Sequence, residues 1–491
     1  MTTAGKRLME HARETAALEQ ILGRLGWDQE TVMPRGAAGQ RAEELAALEK
    51  VLHARRCDPR VAEWLDAARS EDEVELAQFR EIRRAHERAT RVPADLAAEI
   101  ARLTSLSQGI WAEARATNDL GAFAPTLSAV LRLKRQEAAA LAQGGDLYDA
   151  LLDDYEPGAT GADLAAMFAG MRPRLVALRE RILGSTRKVP GLRGSFDEAA
   201  QLGISDLAAR AFGYDFSCGR IDRAVHPFSS GSGLDVRITT RTTEEEPFGC
   251  LYSTIHEVGH GCYEQGVDRA YLLTPLGRGA SMGVHESQSR IYENQLGRSR
   301  AFCGWLYTRC AAVFGDMGVD GPDGFYAAAN RVHSGFIRTE ANEVHYNLHI
   351  LLRFDLERRM IDGELEVADL ETAWNERFEA DFGVRVDSPA NGVLQDVHWA
   401  VGLFGYFPTY TLGNVYAGCL FAAMRTAVPD WESALSAGDA LPASNWLRES
   451  LQRHGARYLP RETVERAAGT PVTVAPLLDY LEDKFSALYR L

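Results

Sequence analysis

The sequence is poor in cysteine, has no long hydrophobic run and carries fewer positive than negative charges. Seven cysteines are scattered over 491 residues without a CxxC pair, which argues against a disulfide framework and favours a reduced, cytoplasmic interior. No stretch approaches the ~18 apolar residues of a membrane helix, and the first residues lack the apolar core of a secretory signal. Neither a membrane protein nor a secreted protein is expected.

The deficit of positive charge excludes further classes of function. The chain has 54 Lys and Arg against 69 Asp and Glu, a net charge of −15. Non-specific binding to nucleic acid or to an anionic membrane needs a positive field, so no nucleic-acid partner is expected. Hydrophobic residues make up 46% of the chain, which is typical of a folded protein and excludes a mainly disordered one.

The chain also lacks a Pro- and Ser-rich linker and an internal repeat, which favours one continuous body over separable domains. Residues 5–145 contain successive amphipathic patterns, such as the stripe formed by Leu18, Ile21, Leu22 and Leu25, and are expected to form helices that serve as scaffold. We therefore predict a helical N-terminal half at 1–230 that does not fold alone, and a metal-binding catalytic half at 231–491.

One segment departs from the helical pattern. Val236 and Ile238 alternate with polar residues in LDVRITTRTT, and this period of two predicts a strand with one polar face. The preceding FSSGSG at 228–233 is expected to be a flexible lead-in. Asp235 and Arg237 on the polar face can line a substrate groove or pair with each other.

A glycine-rich segment, PLGRGASMG at 275–283, precedes another predicted helix. It matches neither the GxxxxGK[ST] nor the GxGxxG phosphate-binding pattern. A flexible loop is therefore favoured over a phosphate site.

The most informative motif is IHEVGHGCYEQG, which begins at residue 255. A helix places His256 and His260 one turn apart on one face, where two neutral imidazoles can bind one Zn²⁺. Glu257 can act as general base on a water molecule that the metal activates. The alternative is a surface helix with two solvated histidines, but Gly259 inside the helix predicts a close neighbour and argues against it.

A catalytic zinc site needs a third protein ligand and one open position. Glu286 in GVHESQSRIYEN is the candidate, and Glu293, two helical turns later, is its expected outer partner. The alternative for both residues is a solvated helix charge. His345 and His349 are also four residues apart, but no glutamate follows His345, so packing histidines are favoured there.

Six separated blocks of this sequence resemble the motifs of the carboxypeptidase Taq, or thermostable carboxypeptidase, family of metallopeptidases. These blocks are DVRIT at 235–239, HEVGH at 256–260, HESQ at 285–288, IRTEAN at 337–342, GVLQDVHW at 392–399 and YFPTYTLGN at 406–414. The first five follow the family's order, and the chain length matches the family's. The resemblance is specific from 235 onward and general before residue 230.

The resemblance implies a mainly helical gluzincin with a deep groove, a small β-sheet next to the metal site and a homodimeric assembly. The N-terminal half would form part of the groove. The implied activity removes single amino acids from peptides with a free C-terminus, with broad specificity and with proline disfavoured. The implied cofactor is one divalent metal ion, with Zn²⁺ as the default and Co²⁺ or Mn²⁺ as alternatives.

Residue roles follow from the matched motifs. His256, His260 and Glu286 match the metal ligands, and Glu257 matches the base. Arg338 matches the arginine that holds the substrate's terminal carboxylate, as a bidentate guanidinium can. His398 matches the histidine near the tetrahedral intermediate, with a core histidine as the alternative. Tyr406 and Tyr410 are further candidate hydrogen-bond donors, and the sequence does not choose between them. Arg237 is a second candidate cation for binding the substrate.

Position 342 departs from the family pattern, because Asn342 stands where the family usually has Asp. The change puts in doubt any ionic support for Arg338 or for the metal shell.

Two other functions compete with the leading one. One is a gluzincin dipeptidyl carboxypeptidase or oligopeptidase, and the other is a non-catalytic helical scaffold, for which Glu257 would have no use.

Overall fold

The computed structural model describes residues 1–491, and 68% of them are helical. The helices predicted for residues 5–145 are present. In chain order the α-helices are α1 (Thr3–Thr31), α2 (Ala38–Arg56), α3 (Pro59–Ala67), α4 (Glu73–Arg91), α5 (Ala94–Thr117), α6 (Leu120–Ala142), α7 (Leu147–Leu152), α8 (Gly161–Gly184), α9 (Glu198–Ala211), α10 (Pro247–Gly266), α11 (Met282–Arg290), α12 (Arg300–Phe314), α13 (Gly321–Ala329), α14 (Glu343–Ile361), α15 (Leu370–Phe382), α16 (Pro408–Ala427), α17 (Trp431–Ser436), α18 (Leu441–Ser450), α19 (Pro460–Ala468) and α20 (Ala475–Tyr489).

Short helical segments of other types connect several of these helices. A π-helix extends α11, and five 3₁₀ turns occur elsewhere. The π-helix is Ile291–Gly297, and the 3₁₀ turns are Arg35–Ala37, Arg269–Tyr271, Arg338–Glu340, Val367–Asp369 and Gln452–His454. None of the helices has both the length and the low polarity that crossing a bilayer requires.

A small sheet accompanies the helices. Its strands are β1 (Gly219–Arg223), β2 (Ser229–Ser232) and β3 (Asp235–Thr240), in the order β1-β3-β2. Strand β3 is the predicted one, with parallel pairing to β1 and antiparallel pairing to β2. Its fully buried Val236 and Ile238 face inward, and the Thr240 hydroxyl donates a hydrogen bond to the Cys250 carbonyl of α10 at 3.3 Å. The sheet therefore lies directly against α10.

The expected flexible lead-in before β3 is wrong for Ser229–Ser232, which form the edge strand β2. The chain reverses so tightly there that a Cβ atom at Gly231 would lie 2.0 Å from the Asp235 carbonyl oxygen. Gly231 also has a φ of +92°, a conformation that only glycine adopts without strain. The small residues that suggested flexibility are the ones that a tight hairpin requires.

The chain divides into two compact units, each made of three segments. Unit 1 comprises Met1–Thr90, Val189–Asn330 and Tyr416–Val472, and unit 2 comprises the rest of the chain. Both units take residues from each side of position 230, whereas the sequence predicts a division there. The dependence of the first 230 residues on the others for folding stays a prediction.

One central helix organises each unit. In unit 1, α10 packs against α9, α11 and β3. In unit 2, α14 packs against α6, α8 and α15, and most of its residues are buried on every face. A helix that is buried on all sides can hold polar side chains away from bulk water. Electrostatic interactions of those side chains are stronger there than in water.

Candidate metal centre

Helix α10 begins with a cap supplied by the adjacent sequence. Pro247 occupies the first helical position, and the Glu246 carboxylate accepts hydrogen bonds from two backbone N–H groups of the first turn. Both features favour a helix start. The helix then continues to Gly266 and carries His256 and His260 on one face.

Gly259 lets α11 approach α10 closely. A Cβ atom at this position would lie 2.6 Å from both the Gln288 carbonyl oxygen and the Ser289 Cα. The sequence predicts such a neighbour, and the structure identifies it as the backbone of α11. That helix begins after Ser281, whose hydroxyl caps it, and the close approach directs Glu286 toward the two histidines.

His256, His260 and Glu286 form a cluster whose side-chain ligand atoms lie within 4.8 Å of one another. Nε2 of His256 lies 3.7 Å from Glu286 Oε2, and Nε2 of His260 lies 3.5 Å from the same oxygen. Tetrahedral Zn²⁺ with bonds of about 2.0–2.1 Å places its ligand atoms about 3.3 Å apart. Two neutral-nitrogen donors and one carboxylate oxygen at this spacing fit a divalent cation.

The second ring nitrogen of each histidine is also engaged. His256 Nδ1 lies 3.0 Å from Glu293 Oε2, so Glu293 is an outer partner of His256, whereas the sequence associated it with Glu286. Glu293 lies in the π-helical segment rather than in the expected α-helix, and such segments often occur at functional sites. His260 Nδ1 lies 2.7 Å from Nδ1 of His285.

Sequence reasoning missed the second pair of residues around His260. His285 reaches on to the Glu264 carboxylate, with 2.7 Å between His285 Nε2 and Glu264 Oε1. The signals were available, because Glu264 is four residues after His260 on the same helical face and His285 directly precedes Glu286.

The charges of the cluster favour a cation. Burial by itself would raise the pKa of Glu286, but Arg290, whose Nε donates to Glu286 Oε1 at 2.7 Å, and the two histidines hold that pKa well below its usual range. Burial opposes a charge on His256, yet Glu286 and Glu293 raise the pKa of His256 above its ordinary value. Burial lowers the pKa of His260 to about 3, which leaves it neutral, the form that binds metals.

Glu257 is the carboxyl group beside these residues. Its side chain is 6% exposed, and burial raises its pKa to about 7, with the histidine charges opposing that rise. A carboxylate with such a pKa can take up and release a proton near neutrality, which is what a general base requires.

Unit 2 contains four of the other predicted site residues, Arg338, His398, Tyr406 and Tyr410. Arg338 lies on the 3₁₀ turn Arg338–Glu340. The Arg338 guanidinium donates through Nε and Nη2 to Asp396 Oδ1, at 3.0 and 2.8 Å. Arg353 of α14 pairs with the other oxygen of Asp396 at 2.6 Å.

The two arginines share one carboxylate, so this buried cluster keeps one positive charge. Burial opposes ionisation of Asp396, but Arg338 and Arg353 hold its pKa far below the usual range. Burial and the charge of Arg338 lower the pKa of Arg353 to about 10, so it stays protonated at neutral pH. A buried excess positive charge favours an anionic ligand.

His398 follows Asp396 by two residues and lies against aromatic side chains. Its Nε2 lies 3.2 Å from the Tyr410 hydroxyl, and its ring contacts that of Phe407 with 4.4 Å between centroids. Burial lowers the pKa of His398 to about 4, so the ring is neutral. Tyr406 packs edge-on against Tyr410 with 5.3 Å between centroids. Unit 2 thus brings His398, Tyr406 and Tyr410 together.

Arg237 in unit 1 shows the plainer of its two expected arrangements. Its guanidinium pairs with Asp235 at 2.7 Å and lies over the Trp27 ring at 4.4 Å. Arg24 also binds Asp235, at 2.7 Å. Arg237 therefore pairs with its neighbour on β3, and its role toward a substrate stays a prediction.

Comparison with known proteins places this geometry in a family. A family model described as carboxypeptidase Taq (M32) metallopeptidase matches residues 7–485. The chain is 41% identical over 504 residues to thermostable carboxypeptidase 1 of Thermus thermophilus, with 99% of each chain covered. It is 34% identical to carboxypeptidase 1 of Bacillus subtilis, with 100% of this chain and 99% of that protein covered.

A solved structure agrees with the sequence comparisons. The crystal structure of the M32 carboxypeptidase from Deinococcus radiodurans is 40% identical and matches with a TM-score of 0.93, with 100% of each chain covered. The chain belongs to the carboxypeptidase Taq family. The predicted family, the mainly helical fold and the small sheet near the metal cluster are confirmed. As a member of this family the protein is a metallocarboxypeptidase, a peptide hydrolase.

Asn342, where the resemblance leads one to expect Asp, lies at the start of α14. Asn342 caps α14, because its Oδ1 accepts from the backbone N–H groups of Val344 and His345, each at 3.2 Å. Its amide nitrogen donates to the His333 carbonyl at 3.0 Å, which a carboxylate could not do. This capping role involves no contact with Arg338. The neutral side chain of Asn342 therefore bears on the start of α14.

The second histidine pair, His345 and His349, packs against an aromatic side chain. His345 stacks on the Phe382 ring at 5.8 Å, and His349 lies 4.6 Å from the same ring. Burial lowers the pKa of His345 to about 3. The packing role favoured from the sequence is the one present.

Proposed function

We propose that this metallocarboxypeptidase removes single C-terminal amino acids from peptides, with broad specificity and with one divalent metal ion. The observation that carries the proposal is the cluster of His256, His260 and Glu286 with the buried Glu257 beside it. Zn²⁺ is the proposed ion, since two imidazole nitrogens and one carboxylate oxygen are typical of catalytic zinc sites. Co²⁺ and Mn²⁺ are the alternatives.

The bound ion would supply Lewis acidity that lowers the pKa of a water molecule and polarises the peptide carbonyl. Glu257 removes a proton from the attacking water and returns it to the amine of the departing amino acid. Its raised pKa suits both steps, because a group that titrates near neutrality exchanges protons with little free-energy cost in either direction. Glu286, with its lowered pKa, stays ionised.

The arginine cluster of unit 2 is proposed to hold the peptide's free C-terminal carboxylate. Arg338 and Arg353 share the single charge of Asp396, so a second carboxylate would neutralise the remaining positive charge. Arg338 contacts Asp396 through Nε and Nη2, and its Nη1 donates to the Tyr346 hydroxyl at 3.3 Å. The second N–H of Nη1 is the one proposed to meet the substrate. An exopeptidase needs such an anchor to select chain ends.

His398 and one of the two tyrosines are proposed to stabilise the oxyanion that forms during attack. A neutral His398 has one N–H to donate, and the Tyr410 hydroxyl lies beside its Nε2. Donors that meet the developing charge stabilise the transition state more than the substrate. Tyr406 is the second hydroxyl proposed for this role.

The proposal also includes a homodimer in solution and a location in the cytoplasm. The family resemblance supports the dimer, and the scattered free cysteines support a reducing compartment. Light scattering on the purified chain distinguishes a dimer from a monomer directly.

The decisive test of the activity is a product analysis. The full chain is stripped with a chelator, reloaded separately with Zn²⁺, Co²⁺ or Mn²⁺, and incubated with an N-acetylated peptide that has a free C-terminus. We expect a ladder of products that differ by one residue, seen by mass spectrometry, only in the reloaded samples. Release of dipeptides or internal fragments would favour an oligopeptidase, and no cleavage with any ion would favour a scaffold.

A further inference from the structure

A third histidine, His285, connects His260 to a carboxylate. Its Nδ1 lies 2.7 Å from His260 Nδ1, and its Nε2 lies 2.7 Å from Glu264 Oε1. Two ring nitrogens at hydrogen-bond distance must be one N–H donor and one acceptor. The chain Glu264–His285–His260 therefore has a defined direction of donation.

The carboxylate sets that direction. Glu264 Oε1 already accepts from the Gly279 N–H, so it accepts from Nε2 of His285 as well. Nδ1 of His285 then holds the lone pair that accepts from His260. His260 then donates from Nδ1, which leaves the lone pair of its Nε2 toward Glu286, 3.5 Å away. His256 has a simpler arrangement, because its Nδ1 contacts the Glu293 carboxylate directly at 3.0 Å.

The glycine-rich segment 275–283 covers this chain of residues. The Gly279 N–H donates to Glu264 Oε1 at 2.9 Å, and the Ala280 N–H donates to the Tyr263 hydroxyl at 2.9 Å. A Cβ atom at Gly279 would lie 2.6 Å from Cδ2 of His285 and 2.9 Å from Cε1 of Tyr263. Only glycine lets the loop approach so closely, so the loop encloses the His285 ring.

We propose that His285 and Glu264, enclosed by the 275–283 segment, are positioning residues that fix the tautomer and the orientation of His260 for metal binding. The inference rests on the proposed metal-dependent function and assigns the glycine-rich loop a part in it. Outer partners of this kind hold a ligating imidazole in its binding orientation and raise its basicity. Neither residue needs to touch the substrate.

The test compares two variants of nearly the same shape, His285→Asn and His285→Leu. Both side chains branch at Cγ, but only the Asn amide oxygen can accept the hydrogen bond from His260 Nδ1. The Zn²⁺ dissociation constant of each full-length protein is measured by competition with a chromogenic chelator. We expect His285→Leu to bind Zn²⁺ about 10- to 100-fold more weakly than the wild type and His285→Asn to recover most of the loss.

Two further measurements act on the same contact. Gly279→Ala should also weaken Zn²⁺ binding, because the added methyl group displaces the His285 ring, whereas Gly304→Ala, with no atom within 4 Å of the added Cβ, should not. In the Co²⁺-loaded wild type, the ring N–H protons of both ligand histidines should give shifted proton NMR signals. One of these signals should be lost through solvent exchange in His285→Leu and kept in His285→Asn.

The outcomes distinguish the metal-dependent function from the positioning role of His285 and Glu264. A wild-type chain that binds no Zn²⁺ would overturn the metal-dependent function and the positioning role with it. A wild type that binds Zn²⁺ while His285→Leu binds equally well, or while the Leu and Asn variants lose the same affinity, would overturn the positioning role alone.

Discussion

Single side chains around the metal cluster carry separable functions. His256 and His260 present Nε2 to Glu286 because their Nδ1 atoms are already engaged. Glu257 makes no such ligand contact, and burial raises its pKa instead. Binding of the metal and transfer of the proton therefore depend on different residues, and single substitutions should separate them.

Glu257→Gln is expected to keep the metal and lose turnover. The amide has nearly the shape of the carboxyl group but cannot take a proton, and loss of a general base costs about 10²–10⁴-fold in rate. Metal content by atomic emission and kcat on an acetylated peptide are measured on the same sample. Near-native turnover in a fully loaded variant would contradict the role of Glu257.

Arg338→Ala is expected to lower kcat/KM on free-acid peptides by about 10- to 150-fold, which corresponds to the ~1.5–3 kcal/mol of a hydrogen bond to a charged group. C-terminally amidated peptides should be poor substrates for the wild type, and Arg338→Ala should lower their kcat/KM much less. Arg338→Lys should recover only part of the lost kcat/KM, since an ammonium cannot bind a carboxylate in a bidentate manner. Asp396 keeps Arg353 as its partner in these variants, so its charge stays compensated.

The comparison of acid and amide peptides on wild type and Arg338→Ala decides the matter. An equal slowing of both peptides would make Arg338 a structural residue. The carboxylate anchor would then lie elsewhere, with Arg237 as the next candidate.

Among the secondary-structure elements, the close contact of α10 and α11 decides whether a cluster can form. The ligands come from two helices, so the spacing of their backbones determines the spacing of the ligand atoms. Gly259 sets that spacing, because any larger residue would meet the backbone of Gln288 and Ser289. Main-chain atoms cannot move aside as a flexible side chain would.

Gly259→Ala should accordingly destabilise the fold by about 1–3 kcal/mol and weaken metal binding. Alanine is the better helix former, so an effect of intrinsic propensity would have the opposite sign. Gly304→Ala in α12 is the matched control, since its added Cβ has open space around it, and it should leave stability unchanged or raise it by up to ~1 kcal/mol. Equal stabilities of the two variants in urea unfolding would contradict the close contact.

At the scale of the whole molecule, a buried carboxyl group in unit 2 links folding to pH. Glu357 of α14 is fully buried and accepts hydrogen bonds from Tyr148 and from Trp399 Nε1. Burial raises its pKa from 4.5 to about 8, although these two hydrogen bonds and a third from the Gly405 backbone oppose the rise. The group is thus protonated in the folded chain at neutral pH and ionised in the unfolded chain.

This difference predicts the sign of a pH dependence. Between about pH 4.5 and pH 8 only the unfolded chain gives up the Glu357 proton, so the contribution to the free energy of unfolding falls by about 1.4 kcal/mol per pH unit and then levels off. Glu357→Gln, which keeps one acceptor oxygen and cannot ionise, should remove this contribution. The stability advantage of the wild type over the variant should shrink from pH 5 to pH 8 in urea titrations of the metal-free chain, and a constant difference would contradict the buried protonated state.

Local patterns in the sequence determined much of this protein. The period of two in β3, the amphipathic stripes of the first helices and the spacing of His256 and His260 each depend on neighbours in the chain, so they could be predicted from the residues alone. Glu286 was likewise predicted from the residues as the third ligand. The resemblance to the carboxypeptidase Taq motifs added the roles of Arg338 and His398. Gly259 predicted a close contact but did not identify the segment that makes it.

The tertiary structure decided the features that need residues from distant segments. The sharing of Asp396 by Arg338 and Arg353 and the packing of the loop at 275–283 against His285 have no local signature. Their hydrogen bonds join groups separated by many residues, and the packing of helices brings those groups together. The same packing excludes water, and that exclusion sets the pKa values on which the proposed chemistry depends.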